Sequence, residues 1–118
     1  MCSYILISSS SPSLRFHVPL VVGRYSLLPG LMCNNHVIYK HLHNDRYLYV
    51  DETDKWTVSN GEELYGVGVG QVACSRFGYV HGGQVPAGDL PEGKRWKYYV
   101  SEERRWVDDP TLTVTCEH

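Results

Sequence analysis

Two stretches of this chain repeat each other at an offset of fifty residues. Residues 47–56 read YLYVDETDKW and residues 97–106 read KYYVSEERRW, so Tyr, Val, Glu and Trp recur at the same spacing. In each copy, β-forming residues lead into a short polar and charged run, and a Trp opens a second β-forming run. This order of strand, polar turn and strand predicts two β-hairpins, each anchored by a tryptophan.

The length of the turn decides which side chains of a hairpin share a face, because successive side chains of a strand point to opposite faces. A five-residue loop places Val50 opposite Trp56 and Val100 opposite Trp106. A four-residue loop shifts each register by one residue and pairs each Trp with the Tyr that precedes the Val. We favour the five-residue loop, which predicts a core face made of Leu48, Val50, Trp56 and Val58 in the first hairpin and Trp96, Tyr98, Val100 and Trp106 in the second.

The favoured register turns four side chains away from this core, namely Tyr47, Tyr49, Lys97 and Tyr99. They are available to a second layer of structure or to a ligand. Tyrosine offers a large contact area with a polar hydroxyl, which suits stacking on a sugar or a contact at a protein interface. These four residues are therefore the predicted ligand-binding residues.

Composition favours strands over long helices. The 118 residues include nine Tyr, three Trp, eleven Gly and six Pro, a bias towards pleated strands and tight turns. We expect an all-β fold, a small antiparallel sandwich or open barrel built on the two hairpins. Residues 23–118 are expected to form a single β domain. Residues 1–22 are expected to be a flanking segment or edge strands. An edge strand would suit Leu14, Phe16 and Val18, which alternate with polar residues.

Four cysteines lie far apart and show no C-x-x-C spacing, which argues against a zinc knuckle or a redox motif. They suit one or two disulfides, for which Cys33, Cys74 and Cys116 are the main candidates. The pairing stays open, and one thiol is left over if Cys2 lies outside the folded unit. Disulfides would place the chain in an extracellular or secretory compartment, whereas four reduced thiols would suit the cytosol.

Charge and hydropathy limit the range of partners. The net charge is -2 and no dense basic cluster is present, so we expect no nucleic-acid partner. No apolar run approaches the ~20 residues that span a bilayer, which predicts no membrane insertion of this domain. The first residues lack the basic start and long apolar stretch of a standard signal peptide, so an export signal is not visible in this chain.

Motifs for catalysis or for cofactors are weak. His41 and His43 would point to the same side of a strand, as two zinc ligands can, but no third ligand is defined. The run Gly66-x-Gly68-x-Gly70 lacks the spacing and the following helix of a nucleotide loop, and a glycine-rich strand and turn is the better interpretation. The sequence also has no G-x-S-x-G nucleophile motif. We therefore predict no catalytic residue, no cofactor and no bound metal.

A wider pattern of spaced aromatic residues covers residues 23–116. It consists of GxY at 23–25, NxxVIYKH at 34–41, YLY at 47–49, WxV at 56–58, a Gly-rich middle, Trp96, and RWVDDPTLTVxC at 105–116. This order resembles a small uncharacterised module of large extracellular or membrane-anchored proteins in marine invertebrates and other eukaryotes. The resemblance implies a binding or adhesion role, with no assigned ligand and no catalytic residues.

The Tyr-x6-Trp spacing that both copies share also resembles the late strands of a kelch repeat, which is about 50 residues long. Gly82-Gly83 would be the diglycine of the second copy. This weaker resemblance implies an intracellular protein-interaction fragment. Two repeats, however, cannot close a propeller, which typically has at least about four blades.

These patterns together predict a non-catalytic binding or adhesion module, lectin-like and extracellular, that recognises a protein or a glycan. The alternative function is that of an intracellular kelch-like fragment. A small metal-dependent enzyme built around His41 and His43 is the least supported hypothesis.

Overall fold

The computed structural model describes residues 2–66, 72–84 and 95–117. Within these residues the chain is all-β, as expected: nine antiparallel strands form one curled sheet with the shape of a half-barrel, and the two helices are short. The strands are β1 (Tyr4–Ser8), β2 (Gly23–Cys33), β3 (His36–His41), β4 (Tyr47–Val50), β5 (Lys55–Ser59), β6 (Val80–Gln84), β7 (Lys97–Val100), β8 (Arg105–Asp108) and β9 (Thr113–Glu117). The helices are α1 (Pro12–His17) and α2 (Gly61–Tyr65).

The order of the strands explains why the sheet curls. Strands β2 to β8 follow one another as a meander, β1 pairs with β2 on its other side, and β9 pairs with β1. The two edge strands, β8 and β9, are therefore neighbours in sequence, joined only by residues 109–112. A flat sheet of this width would separate the edges by about 38 Å, whereas the link reaches about 18 Å at most. The sheet has to bend until its two edges approach each other.

One face of the sheet, which we call the inner face, holds the main core. Alternate residues along the strands contribute to it, among them Ile5, Ile7, Tyr25, Tyr39, Val80, Trp96, Tyr98, Val100 and Val114. The core face predicted for the first hairpin is confirmed, because Leu48, Val50, Trp56 and Val58 are all buried in this core.

Residues 14–18, expected as a strand, belong to helix α1 and its C-terminal end, so that expectation is wrong. The Ser11 hydroxyl caps the helix by accepting the Leu14 N–H at 3.2 Å, and Pro12 supplies the fixed φ that favours a first helical turn. The helix buries Leu14 in the core and leaves the Phe16 side chain 76% exposed. The alternation of apolar residues here reflects one helical turn and its exit, not a strand.

The segment that precedes β2 is built into the same sheet and core. Strand β1 lies between β2 and β9 and not at an edge of the sheet. A disulfide joins Cys2 to Cys116, so the start of the described chain is tied to β9. The Tyr98 hydroxyl donates to the Ser13 hydroxyl at 2.7 Å and holds α1 against β7.

The opposite, outer face carries a second and smaller core over the first hairpin. Its fully or nearly buried members are Cys33, Ile38, Tyr47, Tyr49, Leu64 and Cys74. Helix α2 supplies Leu64, and a disulfide between Cys33 and Cys74 fastens the segment that follows α2 to the end of β2. The prediction of disulfides is confirmed, and the pairing left open by the sequence is Cys2 with Cys116 and Cys33 with Cys74.

The two hairpins differ in register. In the first, Val50 lies opposite Trp56, as the five-residue loop predicts. In the second, Tyr99 lies opposite Trp106, so the favoured register is wrong there and the four-residue alternative holds. Trp106 therefore leaves the predicted core face and lies on the outer face. Strand β6 links the hairpins within one continuous sheet, in contrast to the separate four-stranded blades of a kelch propeller.

The longer loop of the first hairpin depends on Asp51. Its buried carboxylate accepts hydrogen bonds through Oδ1 from the Thr53 N–H at 2.8 Å, the Thr53 hydroxyl at 2.6 Å and the Lys55 N–H at 3.2 Å. Ser101, an exposed residue, stands at the same position of the second copy, where the loop is one residue shorter. The exchange of Asp for Ser thus accompanies the change in the face that carries the tryptophan.

Candidate ligand-binding cleft

The outer face of the second hairpin is more open than that of the first. Tyr49 in the first hairpin is fully buried within the outer core, whereas Tyr99, the corresponding residue of the second, is half-buried. Trp106, brought to this face by the four-residue loop, is also half-buried, and Lys97 is exposed. The second copy of the repeat therefore presents to solvent the aromatic positions that the first copy covers.

A cleft of about 560 Å³ opens on this part of the outer face. The end of β5 and helix α2 form one side, the segment before β6 forms another, and β6, β7 and β8 each contribute a side chain. The residues that concern us in its lining are Asn60, Glu63, Arg76, Phe77, His81, Tyr99 and Trp106.

Three rings in contact, those of His81, Trp106 and Tyr99, form the centre of this cleft. The His81 imidazole lies parallel to the Trp106 indole, with 4.1 Å between ring centroids and 20° between planes. The Tyr99 ring lies 5.2 Å from the same indole at a tilt of 56°. Trp106 thus reaches from β8 across β7 to β6, and its ring is positioned by partners on both strands.

Gly78 brings the segment before β6 close to β5. A Cβ atom at this position would lie 3.0 Å from the Val58 carbonyl oxygen, so glycine is the residue that allows the approach without a shift. The Ser59 hydroxyl donates to the Phe77 carbonyl oxygen at 3.0 Å and fixes the backbone next to it. Phe77 is held at the rim of the cleft with 67% of its side chain exposed.

Polar and charged groups border the rings. Asn60 caps α2 by accepting the Glu63 N–H at 2.9 Å, and its amide group donates to the Tyr79 hydroxyl at 2.9 Å. The Arg76 guanidinium forms an ion pair with Glu52 at 3.2 Å. The cleft therefore combines apolar ring surface with hydrogen-bonding groups, which is the usual make-up of a small-ligand site.

A buried carboxylate lies close to the histidine of the cleft. Asp51 is fully buried, and its Oδ2 atom has no hydrogen-bond partner among the described residues. This oxygen lies 3.9 Å from His81 Nε2, which donates to the Arg76 carbonyl oxygen at 3.0 Å. Burial lowers the pKa of His81, and the negative charge of Asp51 opposes that effect.

Two of the four predicted ligand-binding residues lie in the outer core. The Tyr49 hydroxyl donates to the Ser75 carbonyl oxygen at 2.7 Å, and burial raises the pKa of this tyrosine. Tyr47 is 8% exposed and packs edge-on against Tyr65 at 5.7 Å between ring centroids. Both residues serve the second layer, one of the two roles that the sequence left open.

The other two predicted residues lie on the open part of the outer face. Tyr99 lines the cleft, and Lys97 lies beside it with its ammonium 4.0 Å from the Asp108 carboxylate. Sequence reasoning missed Trp106 and His81 as members of the site. The four-residue loop would have placed Trp106 on this face, whereas the Gly-rich segment around His81 contains no comparable signal.

Of the two histidines considered as metal ligands, His43 is exposed and the ring of His41 is engaged in hydrogen bonds to the backbone. His41 is buried, and its Nε2 lies 2.9 Å from the Val22 carbonyl oxygen, to which it must donate. Its Nδ1 accepts the N–H groups of His43 at 3.0 Å and Asn44 at 3.2 Å. Within residues 2–66, 72–84 and 95–117, no three His, Cys, Asp or Glu side chains converge as metal ligands.

The glycine run singled out in the sequence lies only partly within the described residues. Gly66 ends helix α2 as its C-cap with a φ of 73°, a conformation that suits glycine. Gly68 and Gly70 lie outside the described residues.

In the part of the chain that the structure describes, no helix has the length and apolar character needed to cross a membrane.

Fold and cleft define an all-β protein with a curled nine-stranded half-barrel, two disulfides and an aromatic cleft on its outer face. Comparison with protein-family models, with curated proteins and with solved structures found no match.

Proposed function

We propose that this protein is a non-catalytic, extracellular binding module that holds a carbohydrate in the cleft at Trp106. The observation that carries the proposal is the outward placement of Trp106. The repeat alone would bury this ring, yet the four-residue loop puts it in an open cleft beside Tyr99 and charged side chains. A large aromatic ring outside both cores is a candidate for contact with a ligand.

The chemistry of the cleft suits a sugar. A sugar ring has apolar C–H faces and a border of hydroxyl groups, so it needs flat aromatic surface together with hydrogen-bonding groups. Trp106, Tyr99 and Phe77 supply the aromatic surface, and Glu63 and Arg76 supply polar groups at the border of the cleft. A stable protein partner usually buries about 800 Å² of surface on each side. A concave cleft of this size suits a small ligand better than such an interface.

The two disulfides support the extracellular part of the proposal. Cys2–Cys116 and Cys33–Cys74 account for all four cysteines of the chain. Disulfides persist in secreted and surface-exposed proteins and are rare where glutathione keeps thiols reduced. An oxidising compartment is therefore the environment that suits this structure.

The test is binding of the purified protein to a glycan array, followed by affinity measurement in solution for the glycans that bind. Trp106→Ala should weaken binding at least about tenfold, because truncation of a central aromatic contact usually costs more than about 1.4 kcal/mol. Phe77→Ala, at a position that is 67% exposed, should weaken binding without affecting folding.

Phe16→Ala is the matched control, since Phe16 is an exposed aromatic residue on α1, which packs with the inner core. The affinity of the Phe16→Ala variant for the glycan should equal that of the wild type. The proposal fails if no glycan binds, or if Phe16→Ala and Trp106→Ala weaken binding equally. If the protein instead binds another protein, and Trp106→Ala loses that binding, the cleft is still the binding site but the ligand is not a carbohydrate.

A further inference from the structure

We propose that Asp51, His81 and Trp106 form a proton-sensitive unit that weakens ligand binding in the cleft as the solution becomes acidic. The inference rests on the proposed function of the cleft, because it concerns the regulation of that same site. It has three structural parts: a buried carboxylate with a free oxygen, a histidine beside it, and an indole ring that stacks on the histidine.

The carboxylate of Asp51 is the fixed part of the unit. Its Oδ1 atom accepts three hydrogen bonds from Thr53 and Lys55, so the side chain cannot rotate away. Its Oδ2 atom is buried without a hydrogen-bond partner among the described residues. Unpaired buried charge is costly, which makes this oxygen a strong attractor for a nearby positive charge.

His81 is the group that can supply that charge. Its Nε2 lies 3.9 Å from Asp51 Oδ2, close enough for direct attraction when the ring is protonated. The side chain is 16% exposed and lines the cleft, so a proton can reach it from the site where a ligand binds. Histidine is also the side chain that changes charge near neutral pH.

Trp106 transmits the charge of His81 to the ligand site. The indole lies face to face with the imidazole at 4.1 Å, so protonation converts an aromatic stack into a cation–π contact. That contact engages the π electrons of the same ring that would receive the sugar. The state of His81 thus changes both the charge and the aromatic surface of the cleft.

Other charges face His81 from the elements that pack around it. Lys55 on β5 opposes protonation of His81. Lys97 on β7 is the cross-strand neighbour of His81, and Arg76 lies in the segment before β6. Lys97 and Arg76 are paired with Asp108 and Glu52, and Glu63 lies across the cleft. Asp51 is the acid that contacts His81 within 4 Å among the described ion pairs, so it is the main group that favours the charged ring.

A neutral ligand and a proton oppose each other at this site. A sugar seated on Trp106 removes water from the exposed edge of His81, and loss of water disfavours the charged imidazolium. Binding is reciprocal, so protonation of His81 lowers ligand affinity by the same factor by which the ligand lowers proton affinity. The module would therefore hold its ligand at neutral pH and release it in acid.

The first test is an NMR titration of the full-length protein that follows the His81 ring nitrogens and the Trp106 indole N–H. Burial lowers the pKa of His81, so its midpoint should lie below 6.5, and the Trp106 signal should move with the same midpoint. Because the unfolded chain binds this proton more readily, the free energy of unfolding should fall as the pH drops through 6.5 and level off below the folded midpoint.

Asp51→Asn keeps an Oδ1 acceptor and removes the charge that favours the protonated ring, so it should lower the His81 midpoint further. Asp54→Asn is the matched control, since it removes an exposed acid from the same loop and should leave the midpoint nearly unchanged. The proposed unit is refuted if the Trp106 signal does not change as His81 titrates, or if Asp51→Asn and Asp54→Asn shift the His81 midpoint equally.

The second test measures affinity for methyl β-galactoside and methyl β-glucoside as a function of pH. The dissociation constant should rise several-fold through the His81 midpoint in the wild type and stay constant in His81→Gln. A dissociation constant that does not change with pH would overturn the proposed regulation and leave the proposed function intact. A different result would be that neither sugar binds and no glycan on the array binds, while the Trp106 signal still follows the titration of His81. That result would overturn the proposed function and leave the coupling of Asp51, His81 and Trp106 in place.

Discussion

A single residue explains the different fates of the two tryptophans. Asp51 and Ser101 occupy the same position of the repeat, but only Asp51 can accept three hydrogen bonds from the loop that follows it. These bonds favour a five-residue loop, which keeps Trp56 in the core. Without them the second loop closes one residue earlier, and Trp106 lies on the outer face.

Asp51→Ala should therefore cost much more stability than Ser101→Ala. The first change removes a buried acceptor from three half-buried donors, for which we expect a loss of about 3 kcal/mol in the free energy of unfolding. The second change affects an exposed side chain and should stay within about 0.5 kcal/mol. Urea denaturation of both variants measures the difference, and equal losses would show that Asp51 does not hold the loop.

At the scale of elements, the hairpins could be predicted from the sequence because the repeat carries its own signals. Polar turns and β-forming flanks defined both hairpins, and the buried face of β4 and β5 followed from alternation. Alternation does not predict helix α1, because Leu14, Phe16 and Val18 fit a strand as well as one helical turn. The signal in the sequence that indicates a helix is the Ser11-Pro12 pair, which caps and begins it.

The site was less predictable than the hairpins, for two physical reasons. A shift of one residue in register turns every side chain of a strand to the other face, so the error in the second loop removed Trp106 from the predicted site. His81 meets Trp106 across β7, a contact set by sheet topology and not by local sequence. Tyr99 could be predicted because alternation along β7 turns it away from Tyr98 and Val100, whichever loop length the hairpin has.

Helix α2 forms one side of the cleft, and its cap gives a second prediction. Asn60→Ala removes the acceptor for the Glu63 N–H and the donor to the Tyr79 hydroxyl, so the free energy of unfolding should fall by about 1 kcal/mol or somewhat more. Asn60→Asp keeps the capping oxygen and should lose less. Hydrogen exchange at the α2 amides should accelerate in the Ala variant. Identical exchange in the two variants would contradict the capping role.

At the scale of the whole molecule, the fold is one sheet that curls into a half-barrel. The short link between β8 and β9 limits how far apart the two sheet edges can lie, and the Cys2–Cys116 disulfide ties the residue before β1 to β9. The position of β9 in the sheet could not be predicted from the sequence, because its neighbour is β1, more than one hundred residues away along the chain. The same curvature gathers the main core on the inner face and leaves the cleft on the outer one.

The central claim is that the outer cleft at Trp106 is the place where this protein binds its ligand. The most direct measurement is an NMR titration of the labelled wild-type protein with a glycan that the array identifies. The signals that move should be those of the Trp106 indole, Tyr99, Phe77 and His81, while that of Phe16 stays fixed. Shifts confined to α1 or to the sheet edges, with the Trp106 indole unmoved, would contradict it.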